Sequence, residues 1–337
     1  MYIIIPAYEP DERLVAVVRD VKQELNAEVI VVNDGSGKEY HSYYHMSEKL
    51  GAVVLEHDVN KGKGAALKTA FDYILDHSEE RECETVVTVD SDGQHLIKDI
   101  IKVAHQVQNY PNSIVLGARA FVGKVPFRSR FGNKVTALLF KLVTGEPVTD
   151  TQTGLRGMTT DLLPWLLTLE GERFEYEFNM LLEASKAGYH LVEEPIETVY
   201  LEENKSSHFR PIQDSVRIYA PFLKFIASAS AAALLDAAMF FILMSLTNHL
   251  LLSVVVARII SASLQCFLNA TVVFKSRKNP IQGIVRYGVL VCVILMFNYL
   301  LITGLVSLGI AITIAKFLTE LVLFLFSYRV QKTIVFA

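Results

Sequence analysis

Two carboxylates separated by one residue follow a run of β-prone residues near the middle of the polar part of the chain. Asp90 and Asp92 come directly after Thr85–Val89, and Gln94 adds an amide oxygen two residues later. In an open α/β sheet, ligands bind outside the carboxyl ends of the strands, so both acids would lie at the rim of a cleft. Carboxylate and amide oxygens suit a hard divalent cation that keeps open positions for substrate phosphates. An isolated Asp-x-Asp is more often a strand-end turn, so its neighbours decide between the two.

The elements around this pair alternate between strands and helices. Apolar runs at Tyr2–Ile5, Val29–Val32, Ala52–Leu55 and Val86–Val89 are separated by helical patterns. This order predicts an α/β fold with a doubly wound, mostly parallel sheet. Polar residues again follow the strand ends, namely Pro6, Tyr8 and Glu9, then Asp34, which by itself is typical of a turn or a cap. Lys63 lies near the start of a helix, where it would either face a phosphate or be solvated.

From Tyr219 onward apolar residues dominate, and 51% of all 337 residues are hydrophobic. We predict four spans at 219–246, 250–274, 286–308 and 311–330, each long enough as a helix to cross roughly 30 Å of hydrocarbon. Lys and Arg cluster in the loop after the second span and at the C-terminus, whereas the other two connections carry none. The positive-inside rule therefore places both termini and the polar domain in the cytoplasm. Four buried helices of a soluble protein are the alternative.

The membrane half also matches itself when it is shifted by 62 residues, which places Asp236 on Asn298 and Arg258 on Glu320. Identity is low, so we weigh an internal repeat against chance similarity and favour the repeat. All four polar residues fall at similar depths in their spans. Because charges within a membrane usually face the bundle interior and pair, we expect Asp236 and Arg258 to face inward as partners.

The net charge of −4 hides a basic segment at 121–145, which holds five Lys or Arg residues and no acid. Its apolar residues include Phe140, so the segment is predicted to lie as an amphipathic stretch on an anionic, lipid-bearing surface. A solvated basic face is the alternative. The three cysteines are scattered and form no metal or disulfide pattern, which fits a reducing compartment.

Seven short motifs, taken in order, resemble the family 2 glycosyltransferases of GT-A fold, and most closely the dolichyl- and polyprenyl-phosphate sugar synthases. They are Ile5–Glu9, Val32–Ser36, Asn60–Ala65, Asp90–His95, Gly117–Arg119, Arg128–Asn133 and Asp150–Arg156. The resemblance covers residues 1–215. Residues 219–337 resemble the GtrA-like family of all-α, four-helix transmembrane domains.

The resemblance implies roles for individual residues. Asp90, Asp92 and Gln94 would hold Mg²⁺ or Mn²⁺, and Asp34 would contact the nucleobase. The nucleotide-sugar site as a whole would comprise Pro6, Tyr8, Glu9, Asp34, Lys63, Asp90, Ser91, Asp92 and Arg210. The catalytic residues would be Asp92 and the arginines near the lipid phosphate, Arg119, Arg128 and Arg130. Glu175 and Glu177 either act on the acceptor or simply open a helix with favourable dipole charges.

We therefore expect a metal-dependent hexosyltransferase in the cell membrane. It would transfer one hexose, with inversion, from a nucleotide sugar to a polyprenyl phosphate at the cytoplasmic face, for cell-envelope glycosylation. A UDP-hexose with undecaprenyl phosphate is the first choice, and GDP-mannose with dolichyl phosphate is the alternative. Processive synthases carry a Gln-x-x-Arg-Trp motif that the single tryptophan, Trp165, lacks. A lipid-linked sugar flippase with a nucleotide-sugar-binding domain is the alternative of another class. No nucleic-acid partner is expected, and a homo-oligomer is left open.

Overall fold

The computed structural model describes residues 1–77, 83–119, 133, 136–137, 140–141, 144–197, 211–274 and 280–336. The chain divides into two compact units, Met1–Ile218 and Tyr219–Ala337. Arg128, Arg130 and Arg210 lie outside the described residues, as does most of the basic segment.

The first unit is built on one twisted sheet with strand order β3-β2-β1-β4-β6-β5-β7. The strands are β1 Tyr2–Ala7, β2 Glu28–Asn33, β3 Val53–Glu56, β4 Thr85–Thr88, β5 Ser113–Arg119, β6 Arg156–Thr159 and β7 His190–Ile196. β6 runs antiparallel to β4 and β5, while the other neighbouring strands pair in parallel. The predicted mostly parallel α/β sheet is confirmed, and the ends of β1, β2 and β4 meet at one edge.

Helices cover the sheet and connect its strands. They are α1 Glu12–Glu24, α2 His41–Lys49, α3 Lys63–His77, α4 Ile97–Asn109, α5 Leu163–Leu167 and α6 Phe174–Ala184. The side chain of Asp11 caps α1 by accepting the backbone N–H of Arg13 at 3.0 Å, which explains where this helix begins. The apolar faces of α1 and α4 pack on β-strand residues such as Ile3, Val29 and Val87, all of which are fully buried.

Phe140 corrects part of the prediction for the basic segment. Its side chain is fully buried, and its ring meets that of Phe178 in α6 edge to face, with centroids 6.3 Å apart. Asn133 and Thr136 are also buried. These residues pack into the first unit, because full burial in protein stabilises a phenylalanine ring more than a partly hydrated position at a membrane surface does. Phe140 therefore does not belong to a lipid-facing side.

Four helices form the second unit from Tyr219 onward: α7 Pro211–Thr247, which begins before that residue, α8 Leu250–Leu268, α9 Pro280–Ser307 and α10 Ile312–Val330. Within the described residues, three stretches are long and apolar enough to cross a membrane: Leu223–Thr247, Leu251–Val273 and Ile281–Ser307. The helix α10 is 19 residues long and carries three charged residues, Lys316, Glu320 and Arg329, whereas each of the three stretches has at most two. The four predicted spans thus correspond to four helices of unequal apolar character.

Residues that the predicted repeat makes equivalent meet in this unit. Asn269 Nδ2 donates to Gln331 Oε1 at 2.7 Å across 62 positions of sequence, and both side chains are buried. The rings of Phe274 and Phe336 stack with centroids 5.6 Å apart. In each pair, one residue lies in or next to the π-helical turn Asn269–Val273, and the other lies in or next to the π-helical turn Gln331–Val335. An internal two-fold repeat would produce such contacts, although the repeat itself stays a prediction.

The polar residues within the spans also pair. Arg258 Nη2 lies 3.2 Å from Asp236 Oδ2, and Asn298 Nδ2 donates to Glu320 Oε1 at 2.9 Å. The pairing of Asp236 with Arg258 agrees with expectation, but the expectation that Arg258 faces inward is wrong, because its side chain is 70% exposed. A long arginine side chain can reach its partner while most of its surface stays outside the helix packing.

Candidate active site

The site is centred on Asp90, which lies two residues after the end of β4. Lys63 Nζ donates to Asp90 Oδ1 at 2.7 Å, and His95 Nε2 lies 3.1 Å from Asp90 Oδ2. Although burial opposes it, the Lys63 ammonium and the His95 ring hold the pKa of Asp90 well below its usual range. On the remaining side, a Cβ at Gly154 would come within 2.2 Å of Asp90 Oδ2. The carboxylate is therefore charged and fixed from three directions.

Asp92 and Gln94 complete the turn after Asp90. Gly93 adopts φ +75, and the backbone N–H of Gln94 donates to Asp92 Oδ1 at 3.1 Å. Burial, and then the negative charge of Asp90, raise the pKa of Asp92. Ionisation of Asp92 is therefore unfavourable beside the charged Asp90. A bound cation would remove this repulsion.

The donor set fits a hard divalent cation. A carboxylate offers about four lone-pair directions, so the contacts of Asp90 with Lys63 and His95 leave positions on both oxygens. In the described part of the chain no three His, Cys, Asp or Glu side chains converge as metal ligands. Two carboxylates and one amide oxygen would thus leave coordination positions for substrate phosphates, which is how Mg²⁺ is commonly held.

Lys63 is the first residue of α3 and links Asp90 to a second acid. Its Nζ lies 3.0 Å from Glu177 Oε1, and both side chains are largely buried, at 14% and 10% exposure. Burial opposes the charge of Lys63, but Asp90 and Glu177 outweigh it and raise the pKa of Lys63. In this structure the ammonium therefore faces two carboxylates, and the sequence-based alternative of a solvated Lys63 is wrong.

Glu177 also touches Arg156, the largest fully buried side chain of the protein's described residues. Arg156 Nη1 donates to the backbone carbonyl of Glu177 at 2.5 Å, and Arg156 Nε donates to the carbonyl of Thr153 at 3.0 Å. Burial lowers the pKa of Arg156, while the charge of Glu177 opposes that shift. Arg156 thus ties α6 to the turn that presses Gly154 against Asp90.

The two acids considered for acceptor chemistry have different places. Glu175 Oε1 accepts the backbone N–H groups of Glu172 and Arg173 at 3.3 Å each, so it caps the start of α6. Glu177 points to Lys63 instead. The helix-opening alternative therefore describes Glu175, while Glu177 belongs to the site.

Asp34 lies at the end of β2 and is only 3% exposed. Its carboxylate accepts the backbone N–H of Lys61 at 2.9 Å and that of Gly62 at 2.8 Å, and His57 Nδ1 lies 2.8 Å from Asp34 Oδ1. It therefore holds the loop that leads into α3 and Lys63.

The residues after β1 form the neighbouring wall. Pro6 lies within β1, and Tyr8 and Glu9 follow the strand. Glu9 adopts the left-handed backbone conformation, with φ +47. The backbone N–H of Glu9 donates to Ser36 Oγ at 2.8 Å, and Ser36 Oγ lies 2.8 Å from the hydroxyl of Tyr44. These bonds join the loop after β1 to the loop after β2, so both present their backbone at the same edge as Ser91.

Arg119 ends β5 and is held by a fully buried aspartate. Its Nε and Nη2 donate to the two carboxylate oxygens of Asp150 at 2.6 and 3.0 Å. This fork-on-fork pair fixes the guanidinium plane. The structure thus places one of the three expected phosphate-binding arginines beside Asp150, while Arg128 and Arg130 lie outside the described residues.

Sequence profiles identify both units. Residues 2–163 match Glycosyl transferase family 2, and residues 224–336 match the GtrA/DPMS transmembrane domain. A UDP-N-acetylglucosamine–dolichyl-phosphate N-acetylglucosaminyltransferase of Methanococcus voltae is 30% identical over 60% of this chain and 86% of its own length. The chain therefore belongs to glycosyl transferase family 2. It is a glycosyltransferase of GT-A fold joined to a transmembrane domain, and it is a membrane protein.

Other similar proteins cover the same part of the chain. An uncharacterised protein of Methanocaldococcus jannaschii is 28% identical over 61% of this chain and 84% of its own length. Glycosyltransferase AglJ of Haloferax volcanii is 25% identical over 64% of this chain and 69% of its own. Glucosyl-3-phosphoglycerate synthase of Mycobacterium tuberculosis, solved with Mn²⁺ and UDP-glucose, superposes with a TM-score of 0.48 at 15% identity, over 66% of this chain and 77% of that one.

Four residues of the site were not singled out from the sequence: His57, His95, Glu177 as a partner of Lys63, and Arg156. His95 and Arg156 lie in motifs that carry the resemblance, and that was the one available signal for them. His57 sits in an unremarkable stretch after β3, and only the fold brings it to Asp34.

Proposed function

We propose that this chain transfers a single hexose from a UDP-sugar to a polyprenyl phosphate at the cytoplasmic membrane face. The observation that carries the proposal is the fixed Asp90–Asp92 pair at the end of β4, in a chain that also bears a GtrA/DPMS transmembrane domain. The named activity of the Methanococcus voltae relative supports a UDP donor and an isoprenoid phosphate acceptor.

The residues divide the chemistry between donor and acceptor. Asp90, Asp92 and Gln94 would hold Mg²⁺ or Mn²⁺, which neutralises the departing nucleoside diphosphate. Lys63 and Arg156 together balance the charges of Asp90 and Glu177, so the carboxylate of Asp92 would remain to attract a cation. Pro6, Tyr8, Glu9, Asp34, Ser91 and Arg210 would line the donor site.

The acceptor needs little help to become a nucleophile. A phosphate monoester has a second pKa near 6, so it is largely ionised at pH 7. Attack of its oxygen on sugar C1, as the bond from C1 to the diphosphate oxygen breaks on the opposite side, inverts the anomeric configuration. Arg119, Arg128 and Arg130 would hold the lipid phosphate, since arginine grips phosphate oxygens in a bidentate way.

The test is a transfer assay with the purified full-length protein in detergent. Radiolabelled UDP-N-acetylglucosamine, UDP-glucose and GDP-mannose are each offered with undecaprenyl or dolichyl phosphate, in Mg²⁺, Mn²⁺ or chelator. We expect label to enter the lipid fraction with one UDP-sugar, only when metal is present, and not with Asp92→Ala. Folded protein that moves no label from any donor, yet carries a lipid-linked sugar across vesicle membranes, would establish the flippase alternative.

The orientation is tested separately with Cys83, which is exposed in the first unit. In a Cys292→Ser background, a membrane-impermeant maleimide should label Cys83 in inverted vesicles and not in intact cells. Labelling in intact cells would reverse the proposed topology.

A further inference from the structure

His57 connects the sheet to α3 through three polar contacts. Its backbone N–H donates to the carbonyl of Asn33 at 2.9 Å, and its Nδ1 lies 2.8 Å from Asp34 Oδ1. On the other side of the ring, Nε2 lies 2.9 Å from Thr69 Oγ1 on α3. The ring is 7% exposed, so each of its nitrogens faces protein. Because the Asp34 carboxylate accepts a hydrogen bond, Nδ1 of the His57 ring donates to it. In the neutral ring, Nε2 then accepts a hydrogen bond from the hydroxyl of Thr69.

The loop between His57 and Lys63 has little apolar packing of its own. Val59 is 63% exposed, and Lys61 is exposed as well. The loop is instead held by the two backbone N–H groups that donate to Asp34, by Arg173 Nη2, which lies 3.5 Å from the carbonyl oxygen of Asn60, and by close packing at Gly35 and Gly62. A Cβ at Gly35 would lie 2.2 Å from the carbonyl carbon of Val59. Polar anchors therefore set the position of this loop.

Lys63 follows the last residue of this loop, Gly62, and its ammonium reaches Asp90. A shift of the loop by about 1 Å away from the site would lengthen both contacts of this ammonium beyond the length of about 2.7–2.9 Å that is typical of charge-assisted hydrogen bonds. The position of the Lys63 ammonium thus depends on Asp34, and His57 orients the carboxylate of Asp34.

We propose that His57 and Asp34 form a positioning pair that fixes the loop Asn60–Gly62 and thereby places Lys63 at Asp90. All three of these bonds of the Asp34 carboxylate lie within the protein, and Asp34 is 3% exposed. The inference rests on the proposed function, because the loop matters to catalysis only if Asp90 and Lys63 do.

The test uses paired replacements of His57 in the full-length protein. Asparagine can keep a donor near the place of Nδ1, whereas leucine removes it. We expect His57→Leu to lower kcat by about ten- to hundredfold, the range for losing a hydrogen bond to a charged group. His57→Asn should stay within about threefold of wild type. His45→Leu, a change of an exposed histidine on α2, is the matched control and should have no effect.

A double-mutant cycle separates positioning from general loss of structure. If His57 acts through Lys63, then His57→Leu should cost less than about threefold in a Lys63→Met background, because coupled residues are not additive. The KM for the UDP-sugar should change little in His57→Leu.

Several results would overturn the inference. One is a full ten- to hundredfold loss from His57→Leu in the Lys63→Met background, and another is equal damage from Asn and Leu. If His57→Leu does not fold, Thr69→Val removes the α3 end of the same link, and wild-type kcat there would also count against the pair. Failure of the proposed function is distinct, because wild type would then transfer no sugar at all.

Discussion

Lys63→Met removes one ammonium from between two carboxylates and leaves a side chain of similar length. Lys63 is 14% exposed and lies 2.7 Å from Asp90 and 3.0 Å from Glu177. Removal of one partner from a buried ion pair costs about 3–5 kcal/mol. Here Asp90 remains 32% exposed, and Glu177 keeps Arg156 at 3.8 Å. Screening and the second cation therefore reduce the expected loss of unfolding free energy to about 2 kcal/mol.

The loss should depend on pH in a defined direction. The pKa of Asp90 is depressed in the folded protein, so its stabilisation is present above the unfolded value of about 4 and is lost as the pH falls through the folded value. The pKa of Lys63 is raised, so its contribution is present below about 10.4 and is lost as the pH rises through the folded value. The difference between wild type and Lys63→Met should thus be greatest from about pH 5 to 10 and shrink in acid.

The single tryptophan makes the measurement specific to the first unit. Trp165 lies on α5, against the ring of Tyr189 at 4.7 Å, so its fluorescence reports unfolding of that unit in urea. Lys98→Met is the matched control: Lys98 and Glu197 form a surface pair at 52% and 62% exposure, and its loss should not be measurable. Mn²⁺ should stabilise Lys63→Met more than wild type, because no ammonium then competes at Asp90. Wild-type stability at pH 7, or a loss that persists unchanged at pH 3, would refute this reasoning.

Three further changes test other parts of the molecule. Asp92→Ala should lower radiolabel transfer at least about a hundredfold while Trp165 fluorescence and urea unfolding stay near wild type, since it removes a metal donor; near-normal turnover in saturating Mn²⁺ would contradict the metal site. Asn269→Leu should destabilise the second unit in detergent by about 1–3 kcal/mol because it leaves the buried side-chain oxygen of Gln331 without its donor, and the double change with Gln331→Leu should be milder; equal losses would argue against the amide pair. Arg258→Leu should cost about 1 kcal/mol in the same assay, and the added change Asp236→Leu should recover part of it; strictly additive losses would show that the two charges do not interact.

Local sequence patterns were sufficient for the scaffold. Strand-end motifs placed Asp34 and Asp90 correctly at the ends of β2 and β4. Strands and turns can be predicted in this way because their signals, apolar runs and turn residues, extend over only a few neighbouring positions. The helix beginning at Lys63 was predicted for the same reason. Apolar length gave four helices after Tyr219, although α9 begins at Pro280 and is longer than expected.

Contacts between distant segments could not be predicted in this way. The bond of Lys63 to Glu177 joins α3 to α6, and that of His57 to Asp34 joins two loops, so each depends on how the strands are ordered in the sheet. Phe140 shows the same limit for packing. Its basic and apolar neighbours are typical of a membrane surface, but its burial against Phe178 depends on a helix far along the chain.

The pattern of charges around Asp90 also bears on the kind of acceptor. A sugar hydroxyl must lose a proton during attack and needs a nearby base, whereas a phosphate monoester is ionised already. Asp90 has a depressed pKa, and Glu177 is engaged by Lys63 and Arg156, so neither acid is placed to take a proton. Asp92 has a raised pKa, but in the proposed site it serves as a metal donor. Among the described acids of this cleft, the arrangement therefore favours an acceptor that arrives with its negative charge, as a lipid phosphate does.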